Sequence, residues 1–201
     1  NCAQCPNFPQ NTFVYEKDNY MSYQHSCQNK FTEGQAHRMC HAINDYRSTL
    51  PKQKKEGCNN DCITSIKSNT LINNPQVFGG NIVVENGATL HIHLTNIKFG
   101  VGKGIIVKNG GRLILQGSTI DACNPSQSWA GIKIESGGFF ETDETFLKNV
   151  ANGVEAYANS TLQIYKLNID GKGNTSGIGL KLDGNVNTDF IYNLDVKDFN
   201  V

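Results

Sequence analysis

The chain has 201 residues, 38% of them hydrophobic, and its 18 basic and 18 acidic residues give a formal net charge of zero. This composition offers no basic patch for nucleic acid, and no apolar run is long enough to span a membrane. Seven cysteines are many for a cytosolic protein of this size and indicate an oxidising compartment. Because the chain begins at Asn1, without Met or a secretory signal, we expect a processed or truncated piece.

The composition changes near residue 68. Glycine is scarce before this point, and six cysteines are clustered there: Cys2, Cys5, Cys27, Cys40, Cys58 and Cys62. After it, Gly, Asn and β-branched residues dominate, and only Cys123 remains. The sequence therefore predicts two joined units, residues 1–57 and 69–201, with residues 58–68 as a linker or N-terminal cap.

The first cysteines stand in loop-like surroundings. Cys2 and Cys5 enclose two residues and are followed by Pro6, without apolar periodicity. A zinc site would need a second cysteine pair at finger spacing, which is absent, so a disulfide is favoured. Further along, Cys58 and Cys62 flank a tight loop that a disulfide between them could close.

A single amphipathic helix is predicted after residue 31. Thr32 is the N-cap and Gln35 completes a capping box, and apolar residues follow at helical spacing until Pro51. His37 and His41 lie four residues apart on this helix, which is the spacing of metal ligands. No Glu follows His37, so these histidines are interpreted as exposed helix residues.

The residues around this helix resemble a known family. Asn19-Tyr-Met-Ser-Tyr23, then Cys27, then Phe31-Thr-x-Gly-Gln-x-x-Arg-Met39 are similar to the end of a pappalysin-like (cytophagalysin) zinc metalloprotease domain. The resemblance covers residues 1–50. It implies that Met21 is the Met-turn methionine of a metzincin and that Tyr23 assists at the metal. It also implies that Cys27 forms a disulfide with Cys2 or Cys5.

The zinc motif of that family is missing. His-Glu-x-x-His-x-x-Gly-x-x-His supplies three ligands and the general base, and it appears nowhere in this chain. We therefore expect no metal site and no cofactor in the chain itself. The resemblance implies that zinc belongs to the parent protease domain, whose upstream part would be a partner of this piece.

The second unit has the periodicity of a right-handed parallel β-helix. Apolar strand starts recur with internal spacings of eight and then seven residues through four successive coils, and corner signals such as Asn109-Gly110-Gly111 recur with them. This metric predicts three stacked internal rows. They are Ile82, Ile105, Ile132 and Val154; Leu90, Leu113, Phe140 and Leu162; and Ile97, Ile120, Leu147 and Ile169. Ile114, His91, Lys133 and Gln163 alternate with the rows and should face outward.

Two loops of the β-helix are candidates for a binding surface. Residues 123–129 and 171–176 leave the same corner of two coils, and together they hold Asn124, Trp129 and Asn174, with Asp170 just before the second loop. Loops gather function on such scaffolds, and Trp stacks well on sugar rings. The alternative is that Trp129 covers a coil corner. His91 and His93 point outward on one strand and are interpreted as surface residues rather than as a metal pair.

Catalysis within the β-helix is not expected. Asn187-Thr188-Asp189 matches a short polygalacturonase tripeptide, but the Asp-Asp and Gly-His-Gly that accompany it are missing, and the triplet should lie in a corner. A lyase would need a basic residue beside clustered carboxylates, whereas Arg112, the only Arg of this unit, stands alone.

Two functions fit the sequence. The first is a fragment of a secreted zinc metalloprotease, whose β-helix is a spacer or a surface- or substrate-binding module. The second is a non-enzymatic structural or adhesive cell-surface protein with a carbohydrate- or protein-binding face. Both imply an extracellular location, and polysaccharide or protein at the cell surface as partners. Resemblance to bacterial surface proteins also suggests type IX export, although the sorting domain is not in this chain.

Overall fold

The computed structural model describes Cys58, residues 62–174 and residues 176–199. All of them belong to the second of the two units into which the chain divides, residues 52–201. The predicted disulfide between Cys27 and Cys2 or Cys5, the Met21 turn and the helix after Thr32 lie outside the described residues. The structure therefore bears on the β-rich unit alone.

The described residues form fifteen strands and no helix. In chain order the strands are β1 (Thr64–Ile66), β2 (Thr70–Ile72), β3 (Gln76–Phe78), β4 (Ile82–Val84), β5 (Thr89–His93), β6 (Asn96–Phe99), β7 (Gly104–Val107), β8 (Arg112–Gln116), β9 (Thr119–Ala122), β10 (Gly131–Ile134), β11 (Phe139–Lys148), β12 (Val154–Tyr157), β13 (Thr161–Asn174), β14 (Leu180–Asp183) and β15 (Asn187–Phe199).

These strands coil into a parallel β-solenoid. A first sheet stacks them in the order β1-β4-β7-β10-β12-β14, and six passes through it leave about five turns between the first and the last. A second ladder stacks β2, β5, β8 and the starts of β11, β13 and β15. A third ladder stacks β3, β6, β9 and the later parts of the same three long strands. The predicted parallel solenoid is thereby confirmed for these residues.

The predicted internal rows are present. Ile82 pairs with Ile105, Ile105 with Ile132, and Ile132 with Val154 along the first sheet. The rows of Leu113 and of Ile120 keep the same register in the second and third ladders. All twelve side chains are at most 2% exposed. Strict alternation of buried and more exposed residues along β5 and β8 puts the neighbours of the rows on the outer surface, as predicted.

One coil escaped the periodicity. Thr64, Thr70 and Gln76 occupy the register positions of Ile82, Leu90 and Ile97 in the coil below. Their spacing is six and six residues rather than eight and seven, and all three side chains are polar. The strand β1 consequently lies within residues 58–68, which the sequence assigned to a linker or cap.

The corners of the solenoid repeat one backbone conformation. Between the first sheet and the second ladder, left-handed glycines occupy the predicted Asn-Gly and Ser-Gly turns, for example Gly110 at φ 70° and Gly137 at φ 77°. Between the second and third ladders the left-handed residue is often not glycine, and Glu144 and Lys166 adopt φ values of 48° and 49°. Because β11 and β13 run through that corner, each forms one long strand instead of two short ones.

A disulfide fixes the start of the solenoid to the corner that follows the third ladder, which we call the third corner. Cys58 is bonded to Cys123, 65 residues further along, with the two Cα atoms 5.8 Å apart. The predicted pairing of Cys58 with Cys62 is therefore wrong, although Cys62 is itself disulfide-bonded. The physical reason is the stacking of coils: Cys123 follows β9 at the position where Gly100 follows β6, and the Cys58 carbonyl lies against Gly100. Sequence proximity therefore did not identify the partner.

Candidate binding face of the second ladder

Trp129 lies in the core and not on the surface. Its ring is completely buried, stacks on Phe99 at a centroid distance of 5.4 Å, and donates its indole N–H to the Lys148 carbonyl at 2.8 Å. A ring buried in this way cannot stack on a sugar. Trp129 covers a coil corner, which is the alternative that the sequence left open.

The two predicted loops do meet at the third corner. The Lys172 ammonium donates a hydrogen bond to the Pro125 carbonyl, and a small cavity of about 260 Å³ lies between the loops. Asn124 and Asp170 use their side-chain oxygens locally, to accept backbone N–H groups two residues further along. These contacts use one oxygen of each side chain, and they leave the amide N–H groups of Asn124 and the second carboxylate oxygen of Asp170 available. The side chain of Asn174 is outside the described part of the structure.

His91 and His93 lie on the outer side of β5. Their ring centroids are 5.4 Å apart, and His91 Nε2 is 3.0 Å from the Gln116 side-chain oxygen on the next coil. Within the described residues, no three His, Cys, Asp or Glu side chains are grouped so that they could hold a metal ion. The pair is therefore best treated as part of a wider surface.

That surface is the outer side of the second ladder, which we call the second outer face. It consists of two main columns of outward side chains, one residue from each of the last five described coils. The first column is His91, Ile114, Glu141, Gln163 and Phe190, and the second is His93, Gln116, Asp143, Tyr165 and Tyr192. With strands about 4.8 Å apart, the second column is about 19 Å long.

A β-bulge shapes the end of this face. Leu162 pairs with Thr188, but Gln163 pairs with Phe190, so Asp189 is an extra residue in β15. Without it, the side chains that follow would exchange faces, because orientation alternates at every residue. The bulge thus turns Phe190 and Tyr192 outward and leaves Ile191 in the row of Ile164. The triplet from Asn187 to Asp189 therefore lies in a strand, and its predicted place in a corner is wrong.

Three aromatic rings gather beside the bulge. The Tyr165 and Tyr192 rings stack at 5.3 Å with planes 14° apart, and Phe190 lies 6.3 Å from Tyr165 and 6.2 Å from Tyr192. Tyr165, Phe190 and Tyr192 are 36%, 49% and 50% exposed. We call this group the aromatic cluster. It is a contiguous apolar surface on a face whose other outward side chains are polar, apart from Leu71, Ile114 and Phe139.

Polar and acidic groups surround the aromatic cluster. Gln163 donates its side-chain N–H to Asp189 at 3.2 Å, and both groups are accessible at the surface. Glu141 and Asp143 lie one rung away, in register with Gln163 and Tyr165. One oxygen of Asp143 is buried without a hydrogen-bond partner. The cluster therefore has acceptors and a donor at its edge, as a binding site for a polar ligand requires.

The nearest cation is already paired. Lys166 donates to Glu144 at 2.6 Å, and its ammonium also lies 5.0 Å from the centre of the Tyr165 ring. The hydrogen bond to Glu144 raises the pKa of Lys166 above its ordinary value, with the charge of Glu144 acting in the same direction. Lys166 thus remains charged at neutral pH, and Glu144 offsets its charge.

Sequence reasoning missed the aromatic cluster for a definite reason. In a repeat with spacings of eight and seven residues, position 190 comes two residues after the inward position 188. Because orientation alternates along a strand, the side chain at position 190 should then be buried. One available signal was the spacing from Thr188 to Val196, which is eight residues where the earlier coils have seven. An extra residue in a repeat is the mark of a bulge, and bulges are frequent beside functional sites.

Comparison with known proteins does not identify the face. No family description, no curated protein and no solved structure matches this chain. Among the residues that the structure describes, no helix has the length and apolar character needed to cross a bilayer. Functional conclusions must accordingly be drawn from the residues themselves.

Proposed function

We propose that the solenoid is a non-catalytic binding module of an exported protein, and that its second outer face binds polysaccharide. The observation that carries the proposal is the aromatic cluster, two of whose three rings the bulge at Asp189 turns outward. Aromatic residues normally bury a large apolar area, and an exposed apolar group rimmed by polar side chains marks an interaction site. Ring faces of Tyr and Phe suit the C–H faces of sugars, while Gln163 and Asp189 can bond sugar hydroxyl groups.

The length of the face supports a polymer as ligand. The second outer face continues from the aromatic cluster through Asp143 and Gln116 to the two histidines, about 19 Å in all. An extended chain lying along this line would meet hydrogen-bonding groups on every coil. Such a module would suit an adhesive cell-surface protein, and it would equally suit a protease that must be held on its substrate.

Binding by single-residue variants tests the proposal. Tyr165→Ala and Tyr192→Ala should each weaken binding of soluble polysaccharides by about tenfold or more, since a central aromatic contact is worth roughly 1–2 kcal/mol. Phe146→Ala is the matched control, because Phe146 is a 45% exposed aromatic on the third ladder. Equal loss in all three variants, or no binding by the unaltered chain to any polysaccharide tested, would contradict the proposal.

We further propose that the parent protein is a secreted zinc metalloprotease. The support is the resemblance of residues 1–50 to a pappalysin-like domain, with Met21 in the Met-turn, Tyr23 near the metal and Cys27 in a disulfide. This reading includes a helix-containing, cysteine-rich end of a metzincin domain before the solenoid. It also includes a right-handed coil, the hand that parallel crossover connections strongly prefer. The zinc, its bound water and the general base would all be supplied upstream of Asn1.

Two measurements separate the protease from a purely adhesive protein. The chain of residues 1–201 should bind no stoichiometric zinc and show no peptidase activity, because it lacks the three-histidine motif; chelator-sensitive cleavage would contradict this. The sequence of the full-length gene product decides the parent. An intact His-Glu-x-x-His-x-x-Gly-x-x-His upstream supports the protease, and its absence supports the adhesive protein.

A further inference from the structure

We infer that the second outer face prefers a glycan that bears free amino groups, such as a β-linked glucosamine oligomer, over neutral and acidic glycans. This inference rests on the proposed function and specifies its ligand. It comes from the charges around the aromatic cluster rather than from the rings themselves. The acidic groups, their pairing and their distances from the rings each contribute to it.

The charge near the cluster is strongly one-sided. Residues 139–144, 161–166 and 187–193 form the three rungs nearest the rings, and their charged residues are four carboxylates and one lysine, a formal charge of −3. The carboxylates are Glu141, Asp143, Glu144 and Asp189. The lysine, Lys166, is paired with Glu144 at 2.6 Å. Three carboxylates therefore remain without a cationic partner among the described residues.

These three carboxylates lie close to where a sugar would stack. Asp143 is in register with Tyr165, one strand spacing of about 4.8 Å away. Asp189 is exposed at the bulge and bonds Gln163, whose neighbour on the previous coil is Glu141. At such distances unlike charges attract and like charges repel appreciably even in water. An ammonium on the sugar would be stabilised there, and a uronate carboxylate would be repelled.

The rings favour a cation as well. The Lys166 ammonium already lies 5.0 Å from the centre of the Tyr165 ring, which is within the range of a cation–π contact. Tyr192 and Phe190 extend the same aromatic surface and are about half exposed. A second ammonium, carried by the ligand, would find these ring faces unoccupied by any described cation.

The other permanent cation of the face is Arg112. It belongs to β8, two strands before Tyr165, and its guanidinium lies 4.0 Å above the Phe139 ring at the start of β11. His91 and His93 are a further strand away, in β5. The preference for an amino sugar is thus a property of the end of the face that holds the aromatic cluster.

The test compares three oligosaccharides of equal length with the chain of residues 1–201, by titration calorimetry at mildly acidic pH and low salt. The probes are glucosamine, N-acetylglucosamine and galacturonate oligomers. The glucosamine oligomer should bind at least about fivefold more tightly than its acetylated form, and added salt should shrink this ratio. The galacturonate oligomer should bind most weakly.

Charge variants locate the effect. Glu141→Gln should weaken glucosamine binding by about two- to fivefold and leave N-acetylglucosamine binding unchanged. Asp189→Asn should weaken glucosamine binding more than N-acetylglucosamine binding, because Asp189 also contacts sugar hydroxyl groups in the proposed site. Asp183→Asn is the matched control, because Asp183 is an exposed carboxylate on the first sheet, 3.9 Å from Lys181. It should change neither affinity, and circular dichroism of all three variants checks that they remain folded.

The possible failures can be distinguished. Equal binding of all three oligomers, or tightest binding of the acetylated or acidic one, overturns the inference but leaves the polysaccharide-binding function in place. If Asp189→Asn, Glu141→Gln and the control Asp183→Asn all reduce the preference for glucosamine equally, the amino sugar is not bound at the second outer face. If no oligomer binds, and no longer polysaccharide binds either, both the inference and the proposed function are overturned.

Discussion

Two strands of the second ladder, β8 and β15, differ in how regularly their side chains alternate between the core and the outer face. In β8, Leu113 and Leu115 are completely buried and the residues between and beside them face outward, as strict alternation requires. In β15, one extra residue interrupts the alternation, and two aromatic side chains reach the surface. The regular rung optimises packing, whereas the irregular one gives up a uniform register and turns two aromatic rings onto the second outer face. This difference locates the candidate site, because a packed repeat gains nothing from exposed rings.

The largest expected effect concerns a glycine that the regular stacking needs. Gly131 has φ 109°, and a Cβ at this position would lie 1.5 Å from the Asn152 carbonyl oxygen on the next coil. Gly131→Ala should therefore destabilise the solenoid by more than about 4 kcal/mol, through a backbone clash added to strain. Urea unfolding measures the loss.

Gly87→Ala is the matched control for that variant. Gly87 has φ 74°, but a Cβ there would meet no atom within 4 Å, so only the left-handed backbone is penalised, by about 1–2 kcal/mol. If both variants lose the same stability, glycine is not required at position 131 for close stacking of the coils.

The next effect concerns the buried rows. Leu113→Ala should cost about 2–5 kcal/mol, because it leaves a cavity in a fully packed row. Gln163→Ala, at an outward position two coils further along, should cost about 0.5 kcal/mol or less. Thermal unfolding of both variants decides between the two faces. If Gln163→Ala were the damaging change, the strand register would be off by one residue, and the outer face would be the inner one.

The disulfide should contribute somewhat less. Cys58 and Cys123 are 65 residues apart in sequence. A disulfide that closes such a loop lowers the entropy of the unfolded chain and typically raises the free energy of unfolding by about 2–4 kcal/mol. The double variant C58A/C123A should lose this amount, measured by urea unfolding without reductant. Non-reducing peptide mapping of the unaltered chain should recover Cys58 linked to Cys123. A Cys58–Cys62 peptide would contradict the structure.

The regular rungs could be predicted from the sequence and the irregular one could not. Rows such as that of Leu113 follow from spacing alone. Apolar residues that recur eight and then seven residues apart in every coil have to be buried together. The disulfide of Cys58 and the core position of Trp129 depend on which loops the stacking brings together, and spacing carries no such information. The coil from Thr64 to Phe78 was not recognised because polar residues take the first inward position of each of its strands.

The corners also differ in how far the sequence predicts them. The turn at Asn109-Gly110 can be predicted, because Gly reaches φ > 0 without strain. Glu144 and Lys166 adopt the same left-handed conformation with no such signal. There the structure, not the residue type, imposes the conformation, and the ion pair between the two side chains is compatible with it. Stacked neighbours can therefore determine a corner that local sequence preference would not predict.

The last prediction removes the difference between the two rungs. Deleting Asp189 restores strict alternation, which turns Phe190 and Tyr192 inward and Ile191 outward. The stability loss should be small, about 1–2 kcal/mol, because the inward side chains of this coil are already partly exposed: Ile191 and Val196 are each 42% exposed. Polysaccharide binding, in contrast, should fall at least as much as in Tyr192→Ala, since two of the three rings of the aromatic cluster leave the second outer face together. Asp189→Asn keeps the bulge and is the matched control, and it should lose less binding to neutral polysaccharides than the deletion does, because both rings stay on the second outer face. Unfolding curves and titrations on the same samples separate the two effects. If the deletion leaves binding intact, the bulge does not present the site; if it unfolds the chain, the bulge is needed for folding rather than for binding.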